Sequence, residues 1–354
     1  MTYKLNTLMD MLLDRARKAG ADAADGIVAG GFGQEVSVRL GEVESVERSE
    51  DHEIGLRVFV GKRNAMISSS RIDEDSINTL AERAVAMAKL APEDPFADLA
   101  EADLLARSIP AIDICDATEV SSDELRDDAL AAEEAARAIK GITNSEGGSA
   151  SSGRVDVMIA TSNGFSGGYQ RSSHGVSVMV LSEQDGTMER DYDYTSAVYR
   201  EDLKSPQEIG ISAAERTLQR LGATRPPTGS FPVIYDRRVS SSIAGHIASA
   251  INGAAIARGT SFLKDSMDSP IAADTITLVD DPLRPRGLGS SPFDGEGLAR
   301  QRRVMVENGV LKGWFLDLAS ARQLGLAPTG NARRGAGSPP SPGTTNWIME
   351  PGDV

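Results

Sequence analysis

The chain has 354 residues, 40% of them apolar and 25% charged, which is the make-up of an ordinary globular protein with more than one core. Its 37 basic and 52 acidic residues leave a net charge of −15, spread along the sequence, which argues against a nucleic-acid partner. Cys115 is the single cysteine, so an intrachain disulfide, a four-cysteine zinc site and a Cys-x-x-Cys pair are all excluded.

Residues 1–20 place Leu5, Leu8, Leu12, Ala16 and Ala19 at helical period and stop at Gly20. They contain no apolar h-region or cleavage site, and no apolar run in the chain reaches membrane-spanning length, so the sequence reads as that of a cytoplasmic protein with no membrane partner. "EVSVRLGEVESVERSEDHEIGLRVFVGKRNAMISSS" alternates like half-buried strands, with breaks expected at Gly41, at 49–53 and at 61–64. A second helix spans 74–91, with Ile77, Leu80, Ala81, Ala84 and Ala88 on one face, and Pro92 ends it.

After a weakly patterned connection, 95–120, the order recurs. Ser121 or Ser122 caps a helix reaching Lys140, and strand-like runs follow at 154–161, 175–181 and 188–196. Ser205, Pro206 and Glu208 form the capping box of another helix, which closes at Gly222. "GATRPPTGS" marks a boundary, beyond which "FPVIYD" reads as a strand and "SSSIAGHIASAING" as a helix. "RVMVENGVLKGWFLD" reads as a hairpin turning at Asn308 and Gly309, and "LASARQLG" as a short helix before a loop-rich end. The expected fold is α+β. An N-terminal unit (1–94), the connection (95–120) and a second helix–strands–helix unit (121–222) carry mainly antiparallel, curved sheets. A β-rich C-terminal domain (223–354) follows, and its open end suggests that it is truncated.

Short motifs carry little chemistry. "GFSGG" matches the nucleophile-elbow pattern, but a strand-like run follows where the elbow needs a helix, so Ser166 reads as part of a strand connection. "DHEIGL" begins like a zinc helix at His52 and Glu53, yet Leu56 stands where the second histidine belongs. The carboxylate pairs Asp191 and Asp193, Asp280 and Asp281, and Asp294 and Glu296 lie beside turn residues or on alternating strands, where solvated carboxylates are routine. His246 shares a helical stripe with Ile243, Ile247, Ala250 and Ile251, which favours a core or interface histidine over a ligand. The remaining candidates, His52, Cys115 and His174, are scattered, so a metal centre built from this chain alone is not expected.

Seven segments resemble the TldD/PmbA family of metalloprotease-related proteins, in particular its PmbA (TldE) branch. They are "TNSEGGSASSG", "TSNGFSGGY", "DYDYTSA", "IGISAAERTLQRLGA", "SSIAGHIASAINGAAIARGTSFL", "DDPLRPRGLGSSPFDGEG" and "SARQLGLAPTGNARR". The resemblance implies a protease assembled from two related subunits. In the TldD-type subunit the corresponding helix carries His-Glu-x-x-x-His, two zinc ligands and the general base, with a cysteine ligand further on. In this chain those positions fall on Ser241, Ser242 and His246, and no later cysteine exists. The resemblance therefore implies a non-catalytic partner that binds no cofactor itself, zinc residing in a TldD-like subunit of a heterodimer, or a homodimer in isolation. The implied substrates are extended, small or unfolded peptides, in peptide-antibiotic maturation or antitoxin turnover. The family also normally continues beyond "TNWIMEPGDV". Two other readings stand beside it: a self-sufficient hydrolase using Ser241 or Ser242 with His246, and a binding protein modulating DNA gyrase.

Overall fold

Two long strands set the frame. In the computed structural model, which describes residues 2–352, α1 (Thr2–Ala19) leads into β1 (Ala23–Arg39) and β2 (Glu42–Val60), of 17 and 19 residues. At roughly 3.3 Å per residue these run more than 50 Å. β3 (Arg63–Ser69) and α2 (Glu74–Leu90) complete the first unit. α3 (Ser122–Arg137), β4 (Asn144–Thr161), β5 (Ser166–Gln184), β6 (Thr187–Ala197) and α4 (Pro206–Gln219) repeat the order.

The two units do not build separate sheets. Their strands join in one antiparallel sheet of order β3-β2-β1-β4-β5-β6, with β1 and β4 paired at its centre from Asp25–Thr161 to Val38–Gly148. Two three-stranded meanders thus stand back to back, the arrangement a duplication would give. Two sequence expectations change with this pairing. β1 begins at Ala23, so the glycine-rich "GIVAGGFGQ" is strand, and β2 passes through 49–53 without a break. The Gly- and Ser-rich residues 144–153 are strand too, because β1 and β5 pair with them on both sides. Propensity disfavours such residues in strands, and ladder pairing on both edges overrides it.

All four helices cover one face. Val28, Ile54, Leu56, Val58, Met158 and Ala160 point toward α1 and α2 and pack on Met9, Leu12, Ile77 and Ala84. Further along the same face, Val36, Val38, Val176, Val178 and Val180 pack on Leu125, Ala129, Ile209 and Ala213 of α3 and α4. Small residues let these helices approach closely: a Cβ at Gly210 of α4 would come 2.2 Å from the Ala132 carbonyl oxygen of α3. The Ser205–Glu208 capping box forms, and the cap of α3 falls on Ser121, which makes a box with Glu124; the Ser121 and Ser205 hydroxyls accept the amides of Glu124 and Glu208.

The C-terminal domain seats on the opposite face. It contains α5 (Arg237–Ala250), α6 (Gly253–Ala257), β7 (Leu278–Asp280), β8 (Arg303–Glu307), β9 (Val310–Leu311), α7 (Leu318–Leu324), β10 (Ala332–Gly335), β11 (Ser338–Pro342) and β12 (Trp347–Met349). β12, β7, β8 and β9 form one small sheet in that order, and the hairpin turns at Asn308 and Gly309, both at positive φ as that turn requires. "FPVIYD" is not a strand. It runs unpaired, and Phe231, Val233, Ile234 and Tyr235 are exposed, Ile234 by 95%. Its apolar composition satisfies a strand pattern, but no described strand lies beside it to supply hydrogen bonds.

Candidate functional site

The helix that carries the resemblance is set by local chemistry. Asp236 caps α5 by accepting the Arg238 amide, and Arg238 anchors the helix to β6 through Asp191 (2.9 Å) and the ring of Tyr192. Its inner side is Ala244, Ala250 and the adjoining Ile251, with Ile247 and Ala248 partly buried, and the Trp347 indole N–H donates to the Ala244 carbonyl. Ser241, Ser242 and His246 all lie on the outer side and are exposed. The expected stripe is therefore rotated: the core accepts Ala244 and Ala248 in place of Ile243 and His246, because small residues fit against Trp347 and Phe315. His246 is not a core histidine.

These three residues do not fit a zinc ion. Ser241 and Ser242 offer neutral hydroxyls, and the Ser242 hydroxyl donates to the Val239 carbonyl at 2.6 Å rather than to His246. The other candidates are elsewhere. His52 lies on β2 with its ring over Gly30. His174 is buried on β5, 3.5 Å from Asp116, and burial lowers its pKa against the pull of that carboxylate. Cys115 neighbours Asp116, and burial raises its thiol pKa. No group of three or more His, Cys, Asp or Glu side chains that could hold a metal occurs among the described residues. "GFSGG" connects β4 to β5, and Ser166 begins a strand, not a helix.

The carboxylate pairs behave differently from the solvated groups expected. Asp191 and Asp193 are buried on β6, where Asp191 binds Arg238 and Arg220. Asp280 is buried and accepts the Thr345 amide and the Asn331 side-chain amide. Asp294 accepts the amides of Glu296, Leu298 and Ala332, tying its own loop to β10. Asp294 and Glu296 lie in a turn, as the sequence suggested, but that turn is folded inward against the large sheet, where Glu296 meets Arg57.

That contact surface is a network of buried charges. Asp25 of β1 and Arg57 of β2 are cross-strand partners facing the C-terminal domain, joined at 2.5 and 3.0 Å. Arg334 of β10 reaches Asp25 at 2.7 Å from the other domain, and Glu296 stands 3.6 Å from Arg57. Burial would raise the Asp25 pKa, but Arg334 and Arg57 hold the carboxyl below its ordinary value. For Glu296 burial wins over Arg57, with Asp294 adding to it, and its pKa is pushed up to about 8. Asp25, Arg57 and Arg334 escaped the sequence reading. The available signal was a charge in mid-strand within "ADGIV" and "IGLRVFV", where a solvated charge would interrupt the apolar run.

Beside this network a cavity of about 780 Å³ opens between the sheet and the C-terminal domain. Its floor is the face of the sheet opposite the helices. Register places Glu53, Ala29, Val157 and Tyr169 in one row across four strands, and Asp51, Gly31, Val155 and Arg171 in the next. The far wall includes Phe293, Arg300, Arg333 and Thr345. Arg300 is 9% exposed, and its guanidinium donates to the carbonyls of Phe293 and Ala332, with one nitrogen left without a hydrogen-bond partner.

The chain thus has three parts, two meanders sharing one sheet and a third domain on its open face. Family models described as PmbA/TldA metallopeptidase domain 1, central domain and C-terminal domain match residues 24–88, 115–221 and 228–354. Metalloprotease PmbA of Escherichia coli O157:H7 is 38% identical over 313 residues, 88% of this chain and 70% of that protein. A PmbA homolog of Haemophilus influenzae is 32% identical over 349 residues, 98% of this chain and 75% of that one. The chain belongs to the PmbA/TldD family. Among solved structures, a Bacteroides thetaiotaomicron protein described as a candidate modulator of DNA gyrase matches with a TM-score of 0.90 at 26% identity, covering 98% of this chain and 77% of that one. TldE from Thermococcus kodakarensis shares the fold, with a TM-score of 0.82 at 21% identity over 98% of this chain and 78% of that one.

Proposed function

We propose that this chain is the non-catalytic subunit of a two-subunit PmbA/TldD-type zinc peptidase that processes or degrades small or unfolded peptides. The observation that carries the reading is α5, where exposed Ser241, Ser242 and His246 occupy the positions implied for ligand, base and ligand. One imidazole and two hydroxyls supply neither a three-ligand set nor a base able to take a proton from metal-bound water near neutral pH. The zinc and the hydrolytic step belong, on this reading, to a TldD-like partner.

The surface around α5 supports pairing. Val239 and Ile243 are exposed on the helix, and Phe231, Val233, Ile234 and Tyr235 precede it, an apolar stretch of the kind that marks protein contacts. A cytoplasmic location belongs to the same proposal. No helix among the described residues is long and apolar enough to cross a membrane.

The test is reconstitution. The isolated chain should hold no stoichiometric zinc by elemental analysis and cleave no peptide, and peptidase activity should appear when a TldD-like subunit is added. Tight zinc binding by the isolated chain that His246→Ala abolishes would overturn the reading. The gyrase-modulator description of the Bacteroides structure favours a second reading, a gyrase-binding protein. Co-purification with gyrase in the absence of any protease subunit would select it.

A further inference from the structure

The floor of the cavity carries opposite charges at its two ends. In the row Asp51–Gly31–Val155–Arg171, strand pairing sets a carboxylate on β2 and a guanidinium on β5 on the same face. Three inter-strand steps separate them, about 14 Å at ~4.8 Å each. Glu53, in the neighbouring row, doubles the acidic end. Arg300 reinforces the basic end. Its Nε–H donates to the Phe293 carbonyl, and the Phe293 ring packs edge-on against Tyr169, which precedes Arg171 by two residues on β5.

Neither Arg171 nor the Asp51 and Glu53 pair is matched by an ion pair from within the described residues. Asp51, Glu53, Arg171 and Arg300 form no ion pair with any described residue, although Arg57 and Arg334 nearby are both paired to Asp25. Arg171 donates only to the Leu288 carbonyl, at 3.0 Å. Arg300 has the Asp294 and Asp280 carboxylates near it, so the group left without a counter-charge is Arg171. In a chain carrying 52 acidic residues, a guanidinium on a cavity floor with no carboxylate partner suits an anion from outside. Between the poles the floor is small and apolar, Ala29, Gly31, Val155 and Val157, with Val155 still 39% exposed.

We propose that this cavity binds a short peptide with both termini free, lying across the strands, its ammonium group at Asp51 and Glu53 and its carboxylate at Arg171. An extended chain advances about 3.3–3.6 Å per residue, so a span of about 14 Å corresponds to roughly four residues. Small or apolar side chains suit the floor. That the zwitterion is a peptide rests on the peptidase reading above; the separation and sign of the two poles do not.

Calorimetry on the isolated chain tests this without partner or catalysis, so the outcome is independent of reconstitution. The probe is tetra-alanine, free at both ends, compared with its N-acetylated and its C-amidated forms. Blocking either end should weaken binding about tenfold, because each removes one charge-assisted contact. Arg171→Gln should abolish the penalty for amidation and keep that for acetylation, while Asp51→Asn with Glu53→Gln should do the reverse. Thermal melts establish that the variants are folded, and the three-peptide comparison on the unaltered protein stands without them. Failure of the unaltered protein to bind free tetra-alanine, or equal binding of all three forms, would overturn the proposal.

Discussion

The two faces of the six-stranded sheet are built from the same strands and obey opposite rules. Gly55, Leu56 and Arg57 are consecutive on β2, yet Leu56 is locked into the apolar layer under α1 and α2, while Arg57 is buried in a charge network against the C-terminal domain. Gly55, on the same face as Arg57, lies so close to that domain that a Cβ would come 2.2 Å from the Ala336 carbonyl oxygen. One face holds by area removed from water and tolerates modest repacking. The other joins a smaller apolar cluster, Ile27 and Ile159 against Phe293 and Ala336, to matched charges that stabilise only while every partner is present. The difference teaches that the helix face supplies stability and the opposite face supplies a joint and a cavity.

The largest effects should separate these rules. Arg57→Ala should destabilise by about 3–5 kcal/mol, because it removes both Arg57 hydrogen bonds to the buried Asp25 carboxylate and leaves it with Arg334 alone. Leu56→Ala should cost about 2–5 kcal/mol through a cavity under α1 and α2. Chemical denaturation measures both, and replacing Asp25, Arg57 and Arg334 together by apolar residues discriminates between them. The triple change should restore much of the loss at the charged face, whereas the Leu56 loss has no charged partner to remove.

Gly55→Ala comes next, at about 1–3 kcal/mol, since the added methyl must push the two backbones apart. Its effect should fall on the joint. Limited proteolysis should detect earlier release of the C-terminal domain, with the helix-covered sheet still protected. Equal loss of protection in both parts would mean that the two faces are not separable.

The last effect is a pH dependence. With its folded pKa raised from 4.5 to about 8, Glu296 binds a proton more tightly in the folded state than in the unfolded one. Its contribution to stability is thus complete below the unfolded value and is lost as pH rises through that window. Glu296→Gln imitates the protonated form and keeps an oxygen to accept the Leu318 amide, so it should flatten the fall in melting temperature between pH 5 and 8. An unchanged slope in the variant would assign the pH dependence to other groups.

The sequence by itself determined what depends on near neighbours. A cap at Ser121 or Ser122, Ser205 with Glu208, Gly20 after α1 and the Asn308–Gly309 turn are signals spanning a few residues, and each forms where it was read, the cap at Ser121. Helical periodicity located the α2 core face correctly at Ile77, Leu80, Ala81, Ala84 and Ala88, because one apolar stripe there meets one sheet. The same reasoning misplaced His246, since α5 meets a surface shaped by Trp347 and Phe315, about a hundred and about seventy residues later.

Only the tertiary structure decided the rest. Residues 144–153 are too rich in glycine and serine to declare themselves a strand, and they become one because β1 and β5 pair on either side. Asp294, Glu296 and Asp280 carry turn-like surroundings whether those turns face water or a second domain, and they fold inward because Arg57, Asn331 and backbone amides await them. The poles at Asp51 and Arg171 are 120 residues apart in sequence and share a face through the registers of three strand pairings. Capping, turn and helix-period preferences act over a few residues and survive in the sequence. Burial of charge and alignment across a sheet depend on partners that only the fold brings together.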